Sequence, residues 1–194
     1  MRDGFSPAVP DDRFCNAFRR LSQSATAADR RLMQSWVEEF VDRDGKLVKK
    51  FQTTFHSTFW ELYVHAVLRD FKFEIDFSVA VPDFVVTGTR AFTVEAVAAM
   101  PPGGGDLKPL SKTEMLEQNK DLNVLNEAAI IRLSNSLLYT VGRYRTSYGA
   151  LNYVAGRPFV LAISAFDSPA FFLLGTRPIE ALLYNYYVDE QRYL

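Results

Sequence analysis

The chain has 194 residues, 48% of them hydrophobic and including 16 Phe and 9 Tyr, enough to bury one substantial core and too apolar for a disordered chain. A formal net charge of -1 excludes a global basic field, so any nucleic-acid contact has to come from a local patch or a bound cation. One cysteine, Cys15, excludes an internal disulfide, and no apolar run approaches the roughly 20 residues a bilayer requires, so a cytoplasmic protein with no membrane partner is expected.

Residues 1–11 are polar and proline-bearing, lack a signal-peptide core, and read as a loose leader. Asp11 or Asp12 is placed to cap a short helix with Phe14, Phe18 and Leu21 on one face. Ser24 or Thr26 starts a second helix, with Leu32, Trp36, Phe40 and Val41 inward, Glu38, Glu39 and Asp42 outward, and Asp44-Gly45 at its end. From Gln52 to Asp70 apolar residues recur at Phe55, Phe59, Leu62, Tyr63, Ala66 and Val67, the spacing of an amphipathic helix. Three strand-like segments follow, Phe71 to Phe77, Asp83 to Thr87 and Ala91 to Ala98, with a tight hairpin near Gly88-Thr89. Pro101-Pro102-Gly103-Gly104-Gly105 then breaks regular structure; it lacks the Gly-Lys-Ser/Thr ending of a phosphate-binding loop and reads as a flexible lip. Leu122 to Tyr148 predicts a long helix burying Leu125, Ala129, Leu133, Leu137, Val141 and Tyr144, with Gly149 as terminator. Pro158 to Ala165 reads as a strand buried on both faces, and a last helix runs to about Asp189. The expected organisation is a helical N-terminal cover over residues 1–50, an α/β core over 51–166 and a helical extension over 167–194.

Three acids stand against this apolar pattern. Glu61 lies in the amphipathic helix, Asp83 follows a proline at the head of a strand, and Glu95 interrupts Phe92-Thr93-Val94-Glu95-Ala96-Val97. A carboxylate in a buried strand is costly unless paired, and two on adjacent strands repel, so a divalent cation is the simplest way to keep both ionised. The hairpin decides whether they meet. A two-residue loop at Gly88-Thr89 sets Asp83 opposite Val94 and sends the acids to opposite faces; a three-residue loop, Gly88 to Arg90, or a bulge sets Asp83 opposite Glu95 on one face. On a shared face, two carboxylates with a backbone carbonyl and waters make a hard-oxygen site suited to Mg²⁺ or Mn²⁺. Only His56 and His65 offer nitrogen, so no zinc cluster competes.

The segment Pro82-Asp83, eleven residues, then Glu95-Ala96-Val97 resembles the PD-(D/E)xK signature of the restriction-endonuclease-like nuclease superfamily. The helix carrying Glu61 and the order helix, three strands, helix, strand (αβββαβ, a mixed sheet) resemble its core over about Gln52 to Ala165. The resemblance implies a metal held by Asp83, Glu95 and the carbonyl of Ala96, with Glu61 as an accessory ligand. It implies a divalent-metal-dependent endonuclease hydrolysing phosphodiester bonds, most naturally in DNA. The motif's lysine falls on Val97, which can neither steady an attacking water nor offset developing charge. A substitute cation would come from Lys112, Lys120, Arg132 or Arg143. Failing that, the domain is a catalytically inactive module of nuclease fold that binds nucleic acid or a protein partner.

Basic residues gather at Lys49 and Lys50 and at Arg143 and Arg145, candidates for phosphate contact, with Tyr144, Tyr148 and Tyr153 available to stack on bases. His65, one turn after Glu61, is placed either to touch the acid site or to sit hydrogen-bonded at a helix margin. The aromatic segment Tyr184-Asn185-Tyr186-Tyr187 suits an interface to another subunit or partner.

Overall fold

The computed structural model describes residues 2–24, 26–101, 106–108, 110–118, 120–166, 168–189 and 192; the expected lip at 102–105 lies outside them. Helices α1 (Asn16–Ser24), α2 (Ala27–Glu39), α3 (Leu47–Thr53) and α4 (Phe55–Asp70) precede strands β1 (Ile75–Asp76), β2 (Phe84–Val86) and β3 (Phe92–Ala99). Helices α5 (Lys112–Gln118) and α6 (Leu122–Arg143), strand β4 (Phe159–Ala165) and helix α7 (Arg177–Tyr184) follow. The result is a mixed α/β protein whose four strands form one sheet in the order β1-β2-β3-β4. The chain divides into two compact units, one from Met1–Val97 with Gly142–Ala162 and one from Ala98–Val141 with Ile163–Leu194. The N-terminal helices, expected as a cover, thus fall in the same unit as the first strands.

In the first unit the leader is fastened rather than loose. Phe5 packs on Phe18 and Phe51 with ring centroids 6.1 and 6.0 Å apart. Gln52 is fully buried, and its side chain donates to the carbonyls of Gly4 and Ser6 and accepts from the Ala8 N–H. A buried amide stays only where its hydrogen bonds are met, so Gln52 selects the leader's path as surely as the phenylalanines do. Composition alone hid this, because residues 1–11 look polar.

Thr26 starts α2 as expected, through a reciprocal cap with Asp29. Of the expected inward face, Phe40 is buried and Trp36 packs against the core, whereas Leu32 and Val41 are exposed and Val37 is buried in their stead. The helix also ends sooner, at Glu39, which turns Asp42 inward to accept from the Lys46 and Leu47 N–H groups ahead of α3. That explains why Asp42 is not the solvated acid its position suggested. The helix expected from Gln52 is two helices, broken at Thr54, whose extended φ of -134° ends α3 and opens α4. Two β-branched threonines in a row weaken a helix at that point. Trp60 of α4 donates its indole N–H to the Ala162 carbonyl of β4 at 2.8 Å, which ties the helix to the sheet.

The hairpin register follows from the pairs Phe84 with Val94, Val85 with Thr93 and Val86 with Phe92. Continuing by one residue sets Asp83 opposite Glu95, the three-residue-loop arrangement. Regular β1 is shorter than expected, two residues: before it the Phe73 N–H donates to the Leu68 carbonyl at the end of α4, and after it the chain turns where the Ser78 N–H donates to Asp76 Oδ1.

In the second unit α6 buries Ala129 and Leu133 as expected, together with two polar residues, Asn126 and Thr140. The helix does not run on to Tyr148: after Arg143 it widens into a π-helical turn, Tyr144–Tyr148, in the first unit. β4 is less enclosed than its apolar run suggested, with Val160 42% exposed. The last helix stops at Tyr184, where Asn185 takes a left-handed φ of 53°.

Candidate functional site: a cluster of acids

All three acids singled out from the sequence lie in the first unit, and their charges are felt by one another. Asp83 sits just before β2 and reaches across to β3, where its Oδ2 accepts the Ala96 N–H at 2.8 Å. Burial raises its pKa, against the lowering influence of that hydrogen bond and of Arg43 and Arg143. Glu95 is 7% exposed, and burial followed by the Asp83 charge pushes its carboxyl up to about 7. Glu61, half-buried on α4, is pushed up to about 7 by burial first, then by Asp83, with Glu95 adding to the rise and Lys50 and Arg43 opposing it. Burial is the leading cause for all three, and Lys50, Arg43 and Arg143 offset it only in part.

The backbone of β3 adds a donor. The Ala96 N–H points to the β2 side, whereas the Thr93 N–H points to Pro158 beside β4, as alternation along a strand requires. The N–H and C=O of one antiparallel residue address the same side, so the Ala96 carbonyl also faces the Asp83 side. Hard oxygens from Asp83, Glu95 and Ala96 therefore fit a cation in kind. Among the described residues, however, no three His, Cys, Asp or Glu side chains come together as a metal cage.

Of the cations proposed to replace the lysine at Val97, Arg143 reaches the acids. Its Nη1 lies 3.4 Å from Glu95 Oε1, and its guanidinium lies 4.8 Å from the centre of the Tyr148 ring. The Tyr148 hydroxyl donates to the same Glu95 oxygen at 3.4 Å. The π-helical turn makes this possible. Five residues apart on an α-helix, Arg143 and Tyr148 would diverge, but the wider turn brings them over one side. Lys120 and Arg132 belong to the second unit, and the Lys112 side chain lies outside the described residues.

Sequence reading missed two participants. Tyr148, expected at the end of a helix and as a stacking surface, is 2% exposed and bonded to Glu95. Arg43, in the unremarkable run Asp42-Arg43-Asp44, donates to the carbonyls of Val79 and Asp83 and so braces the segment leading into β2. No motif marks it, because the partners are backbone atoms far along the chain. A polar pocket of about 230 Å³ opens here, lined by Asp42, Arg43, Asp44, Lys50, Glu61 and Asp83, with Phe40, Val41, Leu47 and Ala80 as its apolar wall.

The remaining candidates separate. Lys50 pairs with Asp44 at 2.9 Å and faces Glu61 electrostatically, while Lys49 and Arg145 are exposed. Tyr144 packs on Phe159, with ring centroids 4.6 Å apart, and the Tyr153 hydroxyl donates to the Val81 carbonyl; both residues are half-buried. His65 is not in the site. It is 3% exposed among Phe40, Phe77 and Phe84, and burial pushes its pKa down to about 4. The Cys15 thiol is buried. No helix of the described residues is long and apolar enough to cross a membrane. Comparison with protein-family models, with curated proteins and with solved structures gives no match, so the site's meaning rests on its own chemistry.

Proposed function

We propose that the protein is a divalent-cation-dependent nuclease that hydrolyses phosphodiester bonds in DNA, on a restriction-endonuclease-like core. One observation carries the reading: the β2–β3 register, continued by one residue, sets half-buried Asp83 opposite buried Glu95, each raised in pKa, with Glu61 feeling both charges. Mere structure is better served there by apolar residues, and acids kept at such a cost are characteristic of functional sites.

Asp83, Glu95 and the Ala96 carbonyl would hold Mg²⁺ or Mn²⁺, which when bound polarises a phosphate and lowers the pKa of a water. Glu61, with a pKa of about 7, is matched to accept a proton from water near neutral pH. Arg143 holds positive charge beside Glu95 where the motif's lysine is replaced by Val97, and is placed to offset charge developing on phosphate oxygens. Tyr148 fixes the Glu95 carboxylate and supports the guanidinium. Lys49 and Arg145 are the exposed cations available for backbone phosphates.

A second reading has its own support. With Val97 at the lysine position and no three-sided cage among the described residues, the same domain serves as a non-catalytic binder of nucleic acid or protein. Plasmid cleavage with Mg²⁺ or Mn²⁺ against EDTA, using wild type, Asp83→Ala and Glu95→Ala, separates them. The nuclease reading expects metal-dependent nicking by wild type, reduced at least about 100-fold in both variants. Equal nicking by all three proteins would mean a contaminant. DNA retention without nicking would favour the binder.

A further inference from the structure

The solvent face of α6 is built as half of a coiled coil. Val124, Ile131 and Leu138 recur every seven residues and are 61, 50 and 64% exposed, and Ala128 and Asn135 stand between them, also exposed. Four- and three-residue steps alternate through the set, which is the seam spacing of two supercoiled helices. The buried residues Asn126, Ala129, Leu133 and Thr140 lie on the other side of the helix, so this stripe is not needed for the helix's own packing. Aliphatic residues occupy one seam position of each heptad and small or polar ones the other, which lets a second helix approach closely.

We infer that α6 associates with α6 of a second copy of this chain as a parallel, in-register two-stranded coiled coil. Charge selects this occupant and this direction. Glu127 precedes Ala128 in the seam and Arg132 follows Ile131, five residues on. In a parallel pair these flanking positions meet across the interface, so each Glu127 faces the partner's Arg132, a pair made two times over by the two-fold symmetry. Parallel register also sets Asn135 against Asn135 of the other copy, a polar pair that specifies alignment within an apolar seam. An antiparallel arrangement breaks both matches. The helix is already formed on the protein body, so association does not bear its ordering cost. The seam is short, at the small end of specific interfaces, and the expected dissociation constant is on the order of micromolar.

Sedimentation equilibrium of the full chain from about 1 to 100 µM tests this, across the range where an affinity of that order is visible. Wild type is expected to move from monomer to dimer mass, and Ile131→Glu with Leu138→Glu to stay monomeric with an unchanged far-ultraviolet circular dichroism spectrum. Glu127→Arg is expected to weaken the dimer by about tenfold or more, and Arg132→Glu added to it to restore the dimer, a rescue that misfolding cannot imitate. A chain that stays monomeric at the highest concentration overturns the proposal. So does a dimer that the charge reversal leaves unchanged, because the contact then lies elsewhere, as on the aromatic segment Tyr184 to Tyr187.

Discussion

Helix α4 carries two ionisable residues one turn apart, and burial drives each towards its neutral form in opposite chemical senses. His65 meets rings on several sides and is held unprotonated, with a pKa of about 4. Glu61 meets carboxylates and the cations Lys50 and Arg43, and is held near the point of titration at neutral pH. The histidine is core that happens to be polar. The glutamate belongs to a region whose carboxylates raise one another, with Lys50 and Arg43 offsetting the rise only in part. The same solvent exclusion thus yields a silent group in one place and a poised group in the other, and the neighbours make the difference.

The sharpest way to break this contrast is to damage the aromatic region. Phe51 is fully buried between Phe5, Phe18 and Phe55, and Phe51→Ala is expected to cost about 3–5 kcal/mol in denaturant unfolding. Cleavage per folded molecule should be preserved. Next in size, Arg143→Ala should lower metal-dependent cleavage by about 100- to 1,000-fold, with Arg143→Lys retaining part of the rate, read in single-turnover assays. Its effect on stability should be small, because the side chain is partly exposed.

Glu95→Gln probes the cost of the acid cluster. The folded pKa of about 7 lies above the unfolded value near 4.5, so the native state holds a proton that the unfolded chain releases. Stability from this group is therefore present at pH 4 and lost as pH rises to 7. The neutral variant should match wild type at pH 4 and be more stable by up to roughly 3 kcal/mol at pH 8, in urea titrations without metal. His65 has the opposite sign: its folded pKa of about 4 lies below the ordinary 6.5, so its contribution is present above pH 6.5 and lost as pH falls to 4. Replacing it with Leu should flatten that acid slope, by up to about 1.4 kcal/mol per pH unit, and leave the neutral limb to the glutamates. A variant whose acid limb is unchanged would place His65 outside the core.

The order of elements was legible because each rests on local periodicity: the α4 pattern, the aromatic and β-branched strands and the α6 stripe all name their own type. The hairpin register was left open between two loops, and the structure takes the one that brings Asp83 and Glu95 together. What could not be read depended on distant partners. Gln52 looks like an ordinary surface residue until it meets Gly4, Ser6 and Ala8, and Arg43 has no signature because it binds main-chain carbonyls. Arg143 was one cation among several; the π-helical turn that stacks it on Tyr148 beside Glu95 leaves no periodic trace.

Calorimetric titration of Mn²⁺ into wild type and into the Asp83→Asn, Glu95→Gln double variant bears most directly on the acid cluster. One cation per chain in wild type, with binding abolished in a double variant that remains folded, is the predicted result. Equal affinity in both proteins, or no binding by wild type at millimolar Mn²⁺, would contradict a metal centre built on these two carboxylates.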